Sequence, residues 1–218
     1  MSRNTAPLTV DRLAELPGRC QTCLFWELDP VRRQRVSSEE AAEEKQGWVS
    51  GVLREWGSCG RVALVDDQVV GYVIYAPTAY VPGIDSFPTA PVSPDAIVMT
   101  TLYVDPAHTG GGIGRLLIQG MARDLIRRGG IRAVETFADA RGTRGHCLVP
   151  AEFCGRVGFK TQRAHWATPR LRMDLRTALT WRDEVEQALE RLIGAVRPIV
   201  HPAPKASRPS ARGTRSIL

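Results

Sequence analysis

The chain has 218 residues, of which 43 % are apolar and 24 % charged, and its formal net charge is +6. This composition is ordinary for a protein with a buried core and excludes a chain that is disordered throughout. Five of the positive charges lie in the last 22 residues, so a basic groove for nucleic acid on the folded part is not expected: Arg197, Lys205, Arg208, Arg212 and Arg215.

Location and redox state can also be inferred from the sequence. No run reaches the roughly 18 consecutive apolar residues of a membrane span, and the start, MSRNTAPLTVDRL, lacks the order of a signal peptide. We therefore expect a cytoplasmic protein that does not contact membranes. The cysteines are odd in number, which argues against a disulfide framework in a chain of this size: Cys20, Cys23, Cys59, Cys147 and Cys154.

The first third of the chain predicts a short extended run and a helical turn, followed by a helix and a hairpin. The helix begins at Ser37, which has capping-box spacing to Glu40, and ends near Gly57. Its apolar residues form one stripe that should face a core: Trp48, Val49, Val52, Leu53 and Trp56. The β-rich runs 61–65 and 69–75 predict an antiparallel hairpin.

The middle of the chain changes character. Residues 76–95 hold five prolines and no periodicity, which predicts a long loop, ordered or mobile. The run 97–104 is almost continuously apolar and predicts a central strand covered on both faces. A glycine-rich turn then leads into a helix whose apolar residues recur every four positions: Ile113, Leu117, Met121 and Leu125.

The remaining sequence predicts smaller elements and a tail. The expected order is a strand, a short helix, two extended segments and an amphipathic helix, over residues 133–138, 151–157, 160–166, 171–175 and 180–196. Residues 198–218 are rich in Pro, Ser, Ala and Arg, so we expect a disordered basic tail whose removal leaves folding intact.

The glycine-rich turn is the most informative feature. A buried strand, glycines and a helix N-terminus in succession bring backbone N–H groups together, and such a place binds phosphate. The Walker pattern is excluded because no Gly-Lys-Ser or Gly-Lys-Thr occurs in the chain. The dinucleotide fingerprint fails as well, because Arg115 or Leu117 stands where its third glycine belongs.

A third arrangement fits. Leu102-Tyr-Val-Asp-Pro106 and Thr109-Gly-Gly-Gly-Ile-Gly-Arg115 resemble the acyl-CoA motif of the GNAT superfamily of N-acyltransferases, with Thr109 at a position that is normally Gln or Arg. The run Phe153-Cys-Gly-Arg-Val-Gly-Phe159 is similar to that family's Phe-Tyr-x-x-x-Gly-Phe ending. The order of elements from residue 61 to about 175 is also similar to that of the family.

The resemblance implies an α/β (α+β) fold: a central mixed, mostly antiparallel sheet with helices on both faces and an added C-terminal helix. The length favours one domain, which we place at residues 1–197, and the resemblance places its core at 61–175. The main chain of Leu102 and Val104 would pair with the pantetheine arm, and the turn would hold the pyrophosphate. The full set of expected cofactor residues is Leu102, Tyr103, Val104, Thr109, Gly110, Gly111, Gly112, Ile113, Gly114 and Arg115. Acetyl-CoA would be the co-substrate and a primary amine the acceptor, with no metal.

Catalysis needs a base for the amine and an acid for the departing thiolate. Glu135 is our first candidate for the base and Glu27 the second, ahead of His108 and His146. Cys154, at the family's Tyr position, is the candidate acid, although a packed thiol is the alternative. A hydroxyl could act instead, from Tyr72, Tyr75, Tyr80 or Tyr103. The departure at Cys154 also favours an alternative function, a catalytically silent CoA-binding regulatory module.

Two features remain open. Cys20 and Cys23 form a C-x-x-C, which could be half of a zinc site, a redox pair or a packed wall beside Phe25 and Trp26. The stripe of the helix 180–196 could pack on its own domain or pair with a second subunit as a homodimer. A nucleic-acid-binding role of the tail is a third, less favoured function.

Overall fold

The computed structural model describes residues 2–142 and 148–176. The strands are β1 (Arg3–Pro7), β2 (Gly60–Val65), β3 (Gln68–Ala76), β4 (Ala96–Val104), β5 (Ala133–Asp139), β6 (Val149–Pro150), β7 (Lys160–Arg163) and β8 (Arg170–Asp174). The helices are α1 (Val10–Leu13), α2 (Pro30–Arg33), α3 (Ala41–Trp56), α4 (Ile113–Arg128) and α5 (Ala151–Arg156). The predicted helix 180–196 and tail 198–218 lie outside the described residues.

The strands form one mixed, mostly antiparallel sheet, as predicted. Its order is β1-β2-β3-β4-β5-β8-β7, and β6 pairs with β5. Along the path, only β4 and β5 run parallel to each other. The predicted hairpin is β2–β3, where Asp66 and Asp67 both adopt positive φ, the backbone of a tight type I′ turn.

Helices cover both faces of the sheet. The apolar stripe of α4, predicted from its four-residue spacing, is buried on one face at Ile113, Leu117, Met121 and Leu125. The opposite face is covered by α3, whose Val49 and Val52 are fully buried. Both faces of the central strands are therefore covered, which explains why β4 is mostly apolar.

The ends of α3 follow from its sequence. The Ser37 hydroxyl and the Glu40 carboxylate exchange the reciprocal bonds of a capping box just before the helix, with the Ser37 N–H donating to Glu40 Oε2 over 3.0 Å. Gly57 ends the helix at φ +82°, a left-handed conformation that costs glycine little.

The proline-rich segment 76–95 is ordered, with two 3₁₀ turns at Thr78–Tyr80 and Pro82–Ser86. It packs against the segment before α2: the Gly83 N–H donates to the carbonyl of Trp26 over 3.1 Å. A side chain at Gly83 would collide with the Phe25 carbonyl, so glycine is needed for this approach. Phe87 from the same loop stacks on Trp26 and Phe137.

The sheet divides between its two parallel strands. β4 pairs with β5 only from Ala96 to Val98, opposite Ala133 to Glu135, although both strands continue beyond that point. From Ala138 the edge of β5 is taken by β6. Within the described residues, the edge of β4 beyond Val98 therefore pairs with no strand. An opening in the sheet forms there, and β4 leads from it to the glycine turn.

Candidate functional site

The open edge of β4 presents main-chain groups that no strand in the described part of the chain pairs with. The N–H of Asp105, just past the strand, donates to the Val70 carbonyl of β3 over 2.8 Å. Main-chain groups alternate in direction along a strand, so those of Leu102 and Val104 point to the opposite, open edge. These are the two residues predicted to pair with a pantetheine arm. Tyr103 instead directs its main chain to β3 and stacks its ring on Tyr72.

A β-bulge interrupts β4 within this region. Ile74 pairs with Thr101 and Tyr75 with Met99, so Thr100 is an extra residue in β4. Its hydroxyl donates to the Ile74 carbonyl over 3.3 Å. Bulges redirect the main chain next to active sites, and this one follows directly where β4 and β5 part.

The glycine turn is built from the strand end outward. The Asp105 carboxylate accepts from the Ala107 N–H over 2.8 Å, and the Thr109 hydroxyl donates to the Pro106 carbonyl over 2.7 Å. Gly110 and Gly112 both have φ near +80°, and a Cβ at either would meet no atom within 4 Å. The space above the turn is open.

The helix α4 starts from this turn, with Gly112 as its N-cap. The first N–H groups of a helix have no carbonyl partner within it, and the helix dipole adds positive charge there. Ile113, Gly114 and Arg115 form this first turn, so the residues predicted to bind a pyrophosphate do lie together. Thr109, whose hydroxyl is used locally, supplies no cation.

Arg3 is a residue at this site that sequence reasoning missed. It lies on β1, whose start is fixed to the β2–β3 turn because the Ser2 N–H donates to Asp66 Oδ1 over 2.8 Å. Its guanidinium Nη1 donates to the carbonyl of Gly111 over 2.7 Å. The only signal in the sequence would have been the pairing of an N-terminal strand next to the hairpin. A cation therefore lies at the turn, although none stands at Thr109.

The two resembling motifs meet in space. The ring of Phe153 on α5 lies against the start of α4, where a Cβ at Gly114 would come within 2.9 Å of two of its atoms. Gly114 is therefore required for this packing. Val157 and Phe159 continue the contact into the α4 side of the core. The packing of Gly114 against the 153–159 motif therefore fixes the position of α4, whose N-terminus faces the opening.

Glu135 lies at the point where the two parallel strands part. It is fully buried and pairs with Val98, the last β4 residue opposite β5. Its Oε2 accepts from Arg170 over 2.5 Å and from the Ser93 N–H, and its Oε1 accepts from Arg172 over 3.2 Å. The location suits the predicted base, but the carboxylate already accepts three hydrogen bonds from the protein.

Glu27 lies on the α3 side of the sheet. Both Glu27 and Lys45 are buried, and the Lys45 ammonium binds the Glu27 carboxylate directly. The other carboxylate oxygen accepts from the Trp26 N–H over 3.2 Å. Burial alone would lower the pKa of Lys45, but the Glu27 carboxylate and the nearby thiols raise it, so Lys45 keeps its charge.

Cys154 is fully buried among apolar residues on the α4 side. Burial raises the pKa of its thiol to about 12. An ordinary thiol has a pKa of about 8.5, so proton transfer from Cys154 to a departing thiolate would be strongly uphill. These surroundings favour the packing interpretation over the proton donor.

The other candidates lie apart from one another. Tyr75 donates to Asp124 over 2.6 Å on the α4 side, and burial raises its pKa. Tyr80 is bonded to the exposed Glu55. His108 lies in the turn after β4, 3.9 Å from Asp105. His146 lies outside the described residues. Tyr72 and Tyr103 stack on each other across β3 and β4, on the face opposite α4.

Neither a metal centre nor a membrane span is found in the described part of the chain. Within residues 2–142 and 148–176 no cluster of three or more His, Cys, Asp or Glu side chains is placed to hold a metal ion. Among the helices there, none combines the length and apolar character that crossing a bilayer requires.

A split mixed sheet with an open helix N-terminus at the end of its unpaired strand is the arrangement expected of an acyl-CoA-dependent acyltransferase. The chain belongs to the acetyltransferase (GNAT) family, whose sequence profile matches residues 22–145. No curated protein matches it in sequence.

Solved structures share the fold at low identity. AAC(6')-Ib, in complex with ribostamycin and coenzyme A, is 15 % identical with a TM-score of 0.53, covering 83 % of this chain and 97 % of that one. PaiA N-acetyltransferase from Thermoplasma acidophilum, in complex with coenzyme A, is 15 % identical with a TM-score of 0.52, covering 80 % and 99 %. The loading GNATL domain of CurA from Lyngbya majuscula is 12 % identical with a TM-score of 0.50, covering 81 % and 100 %.

Proposed function

We propose that this protein is an N-acetyltransferase that moves an acetyl group from acetyl-CoA to a primary amine, on a protein or a small molecule. The observation that carries the proposal is the open edge of β4 running into a glycine turn and a helix N-terminus. Membership of an acetyltransferase family and the coenzyme A bound in two neighbours of the same fold support it.

In this proposal the described elements bind the co-substrate in order along β4. The main chain of Leu102 and Val104 pairs with the amides of the pantetheine arm. The amides of residues 110–115 bind the pyrophosphate, with Arg3 as an additional cation at the turn. The thioester then lies toward the bulge at Thr100, where the strands part.

The chemistry requires a neutral amine, a stabilised oxyanion and a proton for the thiolate. A main-chain N–H at the bulge is suited to bind the thioester oxygen, because it is fixed by the sheet before the reaction. Glu135, which pairs with Val98 where the strands part, is proposed to take the amine proton through water. Glu27 remains a second candidate for that base, and Cys154 a candidate acid, both subject to the contacts described above.

The test is an assay of CoA release with acetyl-CoA and a panel of primary amines, run with the Gly112→Asp variant. The substitution would place a carboxylate where the pyrophosphate is expected, so binding and turnover should both be lost while the fold is retained, as judged by thermal unfolding. A folded variant with normal affinity for CoA would refute the location of the site.

One observation favours a second function, the catalytically silent CoA-binding module. The three predicted catalytic side chains all have structural roles: Glu27 in an ion pair, Glu135 between arginines, and Cys154 in the core. CoA binding without acetylation of any amine on the panel would support this module. Acetylation of any member excludes it.

A further inference from the structure

The Cys20-Gln-Thr-Cys23 segment has no role in the proposed acetyl transfer. Cys20 lies in the 3₁₀ turn Gly18–Gln21 and is buried, whereas Cys23, just beyond the turn, is half-buried. Cys20 and Cys23 have the C-x-x-C spacing of dithiol pairs that close an internal disulfide. Both cysteines also lie close enough to one ammonium group, that of Lys45, to interact with it.

Lys45 brings a cation to this pair of thiols. Its ammonium, reaching from α3, donates to the main-chain carbonyl of Cys23 over 3.1 Å and binds Glu27 on the same segment. Burial opposes the charge on Lys45, but Glu27, then Cys20 and finally Cys23 favour it and leave its pKa raised. A cation next to a thiol favours the thiolate, the form that reacts with disulfides.

We propose that Cys20 and Cys23 form a thiol–disulfide redox pair whose thiolate is stabilised by the buried ammonium of Lys45. The ligand class is a low-molecular-weight disulfide, for which glutathione disulfide serves as the probe.

The reaction has two balanced steps. The Cys23 thiolate attacks one sulfur of the disulfide, which forms a mixed disulfide and releases one glutathione thiolate. The Cys20 thiolate then attacks the Cys23 sulfur and releases the second. The protein loses two protons and two electrons, and one glutathione disulfide becomes two glutathione thiols. Because the second step is internal, Cys20 can react although it is buried.

The first test uses the full chain and glutathione disulfide, with mass analysis of the tryptic peptide 20–32, which contains both cysteines. The wild-type peptide should lose two hydrogens. In Cys20→Ser, which keeps Lys45 and Glu27, glutathione should remain on Cys23. A wild-type protein that stays in the mixed disulfide, or is not modified at this peptide, overturns the pair.

The second test addresses Lys45. Replacing it alone would leave Glu27 buried without a partner, so the variant is the double substitution Lys45→Met/Glu27→Gln, which removes both charges. Its reaction with glutathione disulfide at pH 7 should be about tenfold slower, and the difference should disappear above about pH 10, where thiols ionise unaided. An unchanged rate at pH 7 overturns the role of Lys45. If the double variant is destabilised, the Cys20→Ser result still shows whether Cys20 and Cys23 react as a pair.

Discussion

Replacing Arg3 by alanine should weaken CoA binding without changing the fold. Arg3 is exposed and its side chain makes one hydrogen bond, to the Gly111 carbonyl. The matched control is Arg163→Ala on β7, at the other edge of the sheet. Arg163 is also exposed and likewise donates to a carbonyl, that of Ala90.

The magnitude follows from the position of the guanidinium at the turn. A charge-assisted hydrogen bond contributes about 1.5–3 kcal/mol, and exposure to solvent reduces this to about 1–2 kcal/mol. The dissociation constant of CoA should therefore rise roughly 5- to 30-fold. Arg3→Lys keeps the charge but loses the planar fork of the guanidinium, so its affinity for CoA should lie between those of the wild type and Arg3→Ala.

Calorimetric titration with CoA, dephospho-CoA and pantetheine, at low and high salt, separates the explanations. If Arg3 binds a phosphate group, its removal should weaken the binding of CoA, and this loss should be smaller at high salt. The affinity for pantetheine, which has no phosphate, should not change. A loss of affinity for CoA but not for dephospho-CoA would show that Arg3 binds the 3′-phosphate. An equal loss of affinity for both would show that it binds the pyrophosphate. An unchanged CoA affinity, or an equal loss for pantetheine, would refute the reasoning.

The remaining predictions concern packing and protonation. Gly114→Ala should displace the Phe153 ring and lower both the melting temperature and CoA affinity. Cys154→Ala should cost about 1 kcal/mol of stability with kcat little changed; a fall of roughly 10²-fold or more in kcat at constant KM would instead make the thiol the acid. Burial raises the pKa of Asp124, but bonds from Tyr75 and Ser58 outweigh it and hold that pKa below 3.8. Its stabilisation is therefore complete above about pH 4 and lost as the pH falls further, so acid unfolding of Asp124→Asn should lack this component.

The sequence patterns predicted secondary-structure elements more successfully than they predicted long-range contacts. The helices 41–56 and 113–128 and the β2–β3 hairpin were predictable because capping, periodicity and turn residues act over a few positions. The loop 76–95 could be recognised from its prolines, but the sequence did not show that the loop is ordered. That order depends on Gly83 and Phe87 contacting a segment some sixty residues earlier.

The geometry of the candidate site was predictable where the backbone forms it and not where side chains cross the fold. A glycine turn between a strand and a helix is determined by neighbouring residues, so the sequence could place residues 110–115 at the start of a helix. The contacts of Arg3 with Gly111 and of Arg170 with Glu135 join residues 108 and 35 positions apart. No local pattern encodes such pairs, and for that reason Glu135 could be proposed as a base but its arginine partners could not be foreseen.

The charges around Glu135 also bear on how the acceptor amine loses its proton. The Glu135 carboxylate is paired with Arg170 and Arg172, and Arg172 also pairs with Asp95 and Asp174. Because the two arginines occupy this carboxylate, it offers an incoming ammonium ion little attraction, and we expect the amine to react in its neutral form.

If the amine arrives neutral, kcat/KM should rise with pH up to the amine's own pKa, and the midpoint should move by the same amount when amines of different pKa are compared. If the midpoint instead stays the same for amines of different pKa, the rise of kcat/KM with pH reports a group on the protein. If that rise also disappears in Glu135→Gln, Glu135 is the base.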